Sequence, residues 1–409
     1  MEEGATDESR TGPLAGLRVV DFSHIAAGPY GTLQLAYFGA EVIKVESKKR
    51  PDGWRVRDGN SHLEASRPFA DHNKNKLDIT VDLKTPSGLE LVRRLIARSD
   101  VVVENFSFGV MDRLGLDYPT LRSVKPDLIV VSIPGLGSTG PRRDWVTWGP
   151  SLMPLTGLSD SWRHPDDEEP VGSQTSYPDY VVGAHVPALI LAAVAARDRT
   201  GRGVLIDVSQ AELTATLIAP AFVEYLANGR GPGPLGNTHP IWVPYGCYPC
   251  AGDDAWCFVA CTDDAAWAGI CRVLDRPEWA VAEEYSTFEG RRERRDEIDR
   301  AIAAWTELRP PRQVMERLQE ESVPAGIVAT GSDLLEDPQL RHRDFLVDTK
   351  HPFLPGLRLP GIPIALSKTP GRIARHAPLL GQDNLFVVKG LLGMSDADYE
   401  SLTTSGALG

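Results

Sequence analysis

Residues 17–46 read LRVVDFSHIAAGPYGTLQLAYFGAEVIKVE, and this stretch decides the fold. Leu17 to Phe22 is a short run rich in β-branched and apolar residues that suits a strand. Ala26-Ala27-Gly28-Pro29 then opens a helix that continues through Ala36 and ends near Gly39, and Glu41 to Glu46 forms the next strand. Strand, helix and strand in this order make a βαβ unit, which implies a parallel pair joined by a right-handed crossover.

The alternation continues outward. Leu77 to Leu83 reads as a strand, Thr85 to Arg98 as a helix, and Val101 to Asn105 and Leu128 to Ile133 as further strands. The fold class is therefore α/β, with a Rossmann-like large domain around a mostly parallel sheet. From about Val223 the texture changes: Asn228 to Pro240 (NGRGPGPLGNTHP) is dense in Gly and Pro, and a hairpin over Tyr245–Ala260 and charged helical patterns such as Glu289–Trp305 follow. A chain of 409 residues exceeds what one core usually serves, so a second, smaller α+β domain is expected over 223–330 after a large domain over 13–222, with a further part over 331–409.

Composition excludes several function classes. With 43 basic against 56 acidic residues, net −13, the chain is a poor general binder of nucleic acid or membrane surface, so an anionic ligand must be met by a local basic cluster. Met1 to Gly12 is polar and acidic, lacks the apolar core of a signal peptide and is expected to be a flexible tail. No apolar run spans the roughly 18 residues of a membrane helix without a charge or Pro, the nearest being the one after Asp179. A soluble cytoplasmic protein is expected. All five cysteines fall between Cys247 and Cys271. The pairs Cys247/Cys250 and Cys257/Cys261 could offer four thiolates to zinc, but the second sits in an alternating strand pattern beyond a short turn, which favours a reduced hairpin with packed thiols.

Four loops carry candidate chemistry. Gly135-Leu-Gly137-Ser-Thr-Gly140 fits G-x-G-x-x-G, but Pro141-Arg142-Arg143-Asp144 follows in place of a helix, so nicotinamide binding loses its context. Lys48-Lys49-Arg50 with Trp54, Arg55 and Arg57 stands after the second strand, where open α/β sheets bind ligands, and could hold phosphates while Trp54 stacks on a base. His24 and Asn73-Lys74-Asn75-Lys76 occupy similar strand-edge loops. Neither G-x-S-x-G nor H-E-x-x-H occurs.

Ser176-Tyr177-Pro178-Asp179-Tyr180-Val181-Val182-Gly183 opens a long apolar helix that runs to Ala196 and stops at Arg197-Asp198-Arg199-Thr200-Gly201. Locally, Asp179 is an N-terminal helix carboxylate, favoured by the helix dipole and by free backbone N–H groups.

Taken together, the motifs resemble the class III coenzyme A transferases, a superfamily that includes formyl-CoA and carnitine CoA-transferases and α-methylacyl-CoA racemases. The markers are Pro13-Leu14-Ala15-Gly16-Leu17-Arg18-Val19-Val20-Asp21 running into Ala27-Gly28-Pro29, then Gly39 to Glu46, Asn73 to Lys84 and Val103-Glu104-Asn105-Phe106 with Asp112-Arg113-Leu114-Gly115. Thr200-Gly201-Arg202-Gly203, Gly236 to Pro240, Asp337-Pro338-Gln339 and Ala377 to Gly381 complete the set, over nearly the whole chain.

The resemblance implies that Asp179 is the nucleophile of a CoA-transferase, passing through an aspartyl anhydride and an aspartyl-CoA thioester. It implies CoA contacts at His24, Ala26, Ala27, Lys48, Lys76, Asn105, Phe106 and Arg113, with Arg142 or Arg143 near the diphosphate. Trp148, Tyr177, Tyr180, Trp242 and Tyr245 would wall the acceptor pocket, under a loop carrying Gly236 and His239. Coenzyme A and acyl-CoA would be substrates, with no tightly bound cofactor and no metal. The partners would be a carboxylic acid and a second copy of the chain, in an interlocked ring-like homodimer whose large domain is completed by 331–409. The racemase branch places a His nine residues before the Gly that matches Gly157, and here that position is Trp148. Epimerisation at Cα needs an acid and a base, so a 2-methylacyl-CoA racemase is the weaker alternative.

Overall fold

The computed structural model describes residues 11–57, 62–169, 172–173, 175–231 and 233–409; most of the expected N-terminal tail lies outside them. The chain divides into two compact units, one of Met1–Leu158, Gly172–Ala219 and Leu340–Gly409, the other of Ser159–Val171 and Pro220–Gln339.

The first unit is built on β1 (Arg18–Asp21), β2 (Glu41–Glu46), β3 (Leu77–Thr80), β4 (Val101–Glu104), β5 (Ile129–Ser132) and β6 (Val204–Asp207). They lie in the order β3-β2-β1-β4-β5-β6 with every neighbour parallel. The chain moves outward from β1 to β3, then restarts at β4 on the other side of β1. The loops leaving β1 and β4 therefore diverge, and such a switch point is where open α/β sheets bind ligands.

From β1 to β5 both faces of the sheet are covered, which explains why these strands read as continuous apolar runs, whereas β6 is mostly exposed. Val20, Ile43, Val102 and Val130 point to one side, against Leu91 and Leu95 of a helix over Pro86–Ala97. Val19, Val42, Val101, Val103, Ile129 and Val131 point to the other, against Val182, Val186 and Ile190. Edge strand β3 is finished by side chains from the C-terminal part: Asp383 accepts from the Asp78 N–H at 2.9 Å and Asn384 from the Thr80 N–H at 2.8 Å. That leaves fewer open edge groups for another chain to pair with.

Two helices matter most. Helix α1 (Ala27–Tyr37) follows β1, and α2 (Tyr177–Thr200) has Pro178 in its first turn and ends at Gly201 with φ +67°. Val182, Val186, Ile190 and Ala193 form the buried stripe of α2, while Ala184, His185, Ala188, Leu189 and Leu191 are exposed. Pro187 does not interrupt this 24-residue helix, which by length and composition alone could cross a membrane. The two helices meet at Gly31 and Gly183. A Cβ on Gly31 would come within 2.9 Å of Val186 Cβ, and one on Gly183 within 2.7 Å of the Ala27 carbonyl oxygen.

Strand β6 is unexpected from sequence, since its four residues sit directly behind a helix-stop signal. A short helix over Tyr118–Val124 is likewise unannounced, and β3 ends at Thr80, short of Leu83.

The second unit has a three-stranded antiparallel sheet, β7 (Tyr245–Pro249), β8 (Trp256–Ala260) and β9 (Ala325–Ile327). The hairpin matches the sequence reading, whereas β9 does not, because three residues including Gly326 carry no alternation. Cys250, Cys257, Cys261 and Cys271 are buried free thiols and Cys247 is half-buried. Burial pushes the Cys257 and Cys261 thiols up to about 12, so they stay protonated and inert. Among the described residues no cluster of three His, Cys, Asp or Glu could hold a metal.

Candidate active site

At the switch point, the loops after β1 and β4 are tied together. Asn105 accepts from the His24 backbone N–H at 2.8 Å and donates from Nδ2 to the His24 carbonyl at 2.8 Å. The His24 and Phe106 rings meet edge-on at 5.7 Å between centroids. Ala26 and Ala27 follow at once, both buried, and Ala26 stands at the N-cap of α1 without a capping side chain. Its first N–H groups therefore have no capping side chain, the arrangement by which helix N-termini receive anions. His24, Ala26, Ala27, Asn105 and Phe106 thus form one rim.

The basic residues are distributed differently from the sequence expectation. Lys76 is fully buried, and its Nζ donates to Asp21 Oδ2 at 3.0 Å, Asn73 Oδ1 at 2.9 Å and the Pro29 carbonyl at 3.0 Å. Burial, against the pull of Asp21, brings its ammonium down to about 8. Lys76 braces the base of α1, with its donors already taken. Arg55, 3% exposed, pairs with Glu46 at 2.9 Å and Glu64 at 2.6 Å and lies 3.5 Å above the Phe69 ring. Arg55, held between carboxylates, is thus no phosphate clamp, and half-buried Trp54 packs against the same cluster. Lys48 is exposed, with Nζ 3.2 Å from the Leu408 carbonyl, and Lys49 pairs with Asp82 at 2.7 Å. The Arg57 side chain lies outside what is described. Arg113 is exposed, Arg142 lies 4.8 Å from the Trp145 ring and Arg143 4.6 Å from that of Phe108, just beyond Phe106.

Asp179 is the third residue of α2. Ser176 at the N-cap makes no capping hydrogen bond to the backbone; its hydroxyl donates to Asp179 Oδ2. Burial pushes the Asp179 carboxyl above the usual carboxylate range, and the Ser176 hydrogen bond pulls it back only in part. The helix start therefore does not hold it low, as its position in the sequence suggests. Gly149, the first residue of a helix over Gly149–Leu155, packs against both side chains: a Cβ there would overlap Ser176 Oγ and Asp179 Oδ2. Tyr180 contacts Tyr30 at 5.2 Å and His72 at 5.7 Å between centroids.

Trp148 is the exposed N-cap residue of the Gly149 helix, and Tyr177 is exposed. Gly236, His239, Trp242 and Tyr245 belong to the second unit, where His239 stacks on Trp242 at 4.2 Å. In the Gly135 loop, Gly137 and Gly140 take φ of +80° and +87°, and the Ser138 N–H donates to Asp207 at 3.0 Å. No helix begins between Gly140 and Gly149, so the loop is not a dinucleotide fingerprint.

Sequence reasoning gave no role to Ser176, Gly149 or Glu104. The Gly-Pro pair at 149–150 is a helix-start signal that marks Gly149, but its approach to Asp179 is a long-range contact. Glu104 ends β4, where it accepts from the Ser132 hydroxyl and, at 2.8 Å, from the Phe106 N–H. Burial pushes its carboxyl up to about 7. A folded value above the unfolded one means that its contribution to stability is full below the unfolded value near 4.5 and is lost as pH rises through about 7. Glu104→Gln removes this loss: its thermal midpoint should exceed wild type at pH 8 and lose that advantage at pH 5. Parallel midpoint curves for the two proteins would refute the assignment.

Fold and site together define an α/β enzyme with a ligand rim at the switch point and a half-buried carboxylate beside it. The chain belongs to CoA-transferase family III, whose family model matches residues 14–384. It is 32% identical over 382 residues to a succinate–glutarate CoA-transferase of Agrobacterium fabrum, covering 91% of this chain and 94% of that one. It is 35% identical over 400 residues to a probable CoA-transferase of Mycobacterium tuberculosis, covering 95% of this chain but spanning only 50% of that relative. Among solved structures, a CAIB/BAIF family protein from Brucella suis superposes with a TM-score of 0.84 at 31% identity, covering 93% of this chain and 99% of that one.

Proposed function

We propose that this protein moves coenzyme A from an acyl-CoA donor to a carboxylic acid acceptor, with Asp179 as the covalent nucleophile. The observation that carries this reading is a desolvated carboxylate at the start of α2, opposed among the described residues by one hydroxyl and no basic side chain. Desolvation leaves a carboxylate more reactive than one in water. The Asp179 carboxylate attacks the thioester carbonyl, giving a mixed anhydride and CoA thiolate. The thiolate attacks the aspartyl carbonyl, releasing the donor acid and forming an aspartyl-CoA thioester. The acceptor carboxylate then displaces the thiolate to form a second anhydride, and the thiolate attacks its acyl carbon, freeing Asp179.

The rim of His24, Ala26, Ala27, Asn105 and Phe106 serves the nucleotide end of CoA, with Lys48, Arg113 and Arg143 as the exposed cations for its phosphates. Tyr180 and Trp148 stand beside the nucleophile. Coenzyme A is substrate here, with no resident cofactor. Trp148 supplies no acid or base, so racemisation lacks a partner. The exposed apolar side chains Leu189 and Leu191 of α2, and Phe222, Val223, Tyr225 and Leu226 in the helix over Ala219–Asn228, support a homodimer in which a second copy covers them.

Incubation with acyl-CoA donors and a panel of acids, succinate and glutarate included, should exchange CoA as read by mass spectrometry. α-Deuteration of a 2-methylacyl-CoA in heavy water without any acid, and no exchange with the panel, would favour racemisation instead. Light scattering should report twice the monomer mass.

A further inference from the structure

Ile25 has φ +67°. A β-branched residue in the left-handed region is strained, and such strain persists only where the surroundings impose it. Among the described residues Ile25 is the only β-branched one there. Three consecutive residues of its loop are each gripped by a buried or half-buried side chain from another part of the fold. Lys44 Nζ, on β2, donates to the Ser23 carbonyl at 2.6 Å. Asn105 holds both backbone groups of His24. Asp52 Oδ1 accepts from the Ile25 N–H at 3.0 Å and from the Trp54 N–H at 2.9 Å, while Oδ2 pairs with Lys44 at 2.8 Å. The Lys44 and Asp52 side chains are 0% exposed.

We propose that Asp52 is a positioning residue for CoA binding: its carboxylate, fixed by Lys44, clamps Ile25 in the left-handed conformation and so sets the course of His24–Ala27. This rests on the CoA-transferase reading of that rim. Asp52 itself touches no substrate. The chain must turn sharply between β1 and α1 for the uncapped N–H groups of α1 to face the ligand. A glycine would make that turn unaided. Ile25 cannot, and a charged pair supplies what its backbone lacks.

Asp52→Asn keeps the shape but sets an amide against Lys44. Its KM for acyl-CoA should rise about tenfold, on the scale of one charge-assisted buried hydrogen bond, while kcat changes less than about threefold. Ile25→Gly should keep the wild-type KM, and Ile25→Gly combined with Asp52→Asn should recover most of the loss. Ile25→Pro, which excludes positive φ and deletes the N–H while leaving the Asp52–Lys44 pair intact, should raise KM as Asp52→Asn does. It decides the matter if Asp52→Asn does not fold. An unchanged KM in folded Asp52→Asn or Ile25→Pro overturns the clamp, as does a double variant no better than Asp52→Asn. Wild-type protein that neither binds nor transfers CoA overturns the transferase reading itself.

Discussion

Asp179→Asn should lose CoA exchange by at least ~10⁴-fold, the scale on which enzymes lose a covalent nucleophile. The amide preserves the volume of the side chain and can still accept from Ser176, so CoA binding should persist and only chemistry should fail. A second readout follows from burial. Because the carboxyl of Asp179 is raised, its stability contribution is present in full below the unfolded carboxylate value and declines as pH climbs through the folded one. Wherever its carboxyl is ionised, Asp179 is thus a liability to the fold. Asp179→Asn, neutral at every pH, should melt at or above the wild-type temperature at pH 7.5 and show no advantage at pH 4. Turnover retained in this variant removes Asp179 from the mechanism. Lost turnover with a marked fall in melting temperature makes it a structural residue.

Gly149→Ala is the second large effect, at least ~10²-fold in kcat/KM, as expected when a reacting group is displaced by about an ångström. The backbone of Gly149 needs no left-handed conformation, and Ala is the better helix former, so the helix over Gly149–Leu155 tolerates the change on its own. What it lacks is room. The added carbon would overlap Ser176 Oγ and Asp179 Oδ2 and lie 2.9 Å from Ser176 Cβ. Either the two helix starts part or the carboxylate swings away from its hydroxyl. Steady-state kinetics beside thermal melts will separate these outcomes from unfolding; wild-type kcat/KM would show that the contact is immaterial.

Much of the sheet is legible in the sequence because its strands are covered on both faces. Continuous runs such as Val101 to Val103 have few other uses, and β2 spans the residues its pattern marks, Glu41–Glu46. The strands that escape are β6, which is mostly exposed and follows directly on a helix-stop signal, and β9, which has three residues and no alternation. Charged residues mislead for a related reason. Lys76 and Arg55 offer themselves as ligand-binding cations because burial of a charge depends on partners that only the fold brings together, Asp21, 55 residues away, for one and Glu46 with Glu64, each across a loop of the chain, for the other. Asp179 was marked by its place at a helix start. The company it keeps, Ser176 and Gly149, comes from a contact between two helix starts that no local pattern encodes.

The meeting of α1 and α2 at Gly31 and Gly183 bears on how such an enzyme can change over time. One helix begins beside His24 and the other carries Asp179 in its first turn, and where they meet each glycine takes the neighbouring helix directly, Gly31 against Val186 and Gly183 against the Ala27 carbonyl and Tyr30. On the proposed function, exchanging the aromatic residues around Tyr180 should change which acid is accepted while the spacing of the two helix starts stays as it is. A side chain at either glycine would push the two helix starts apart, so these two positions fix the distance on which the whole arrangement depends.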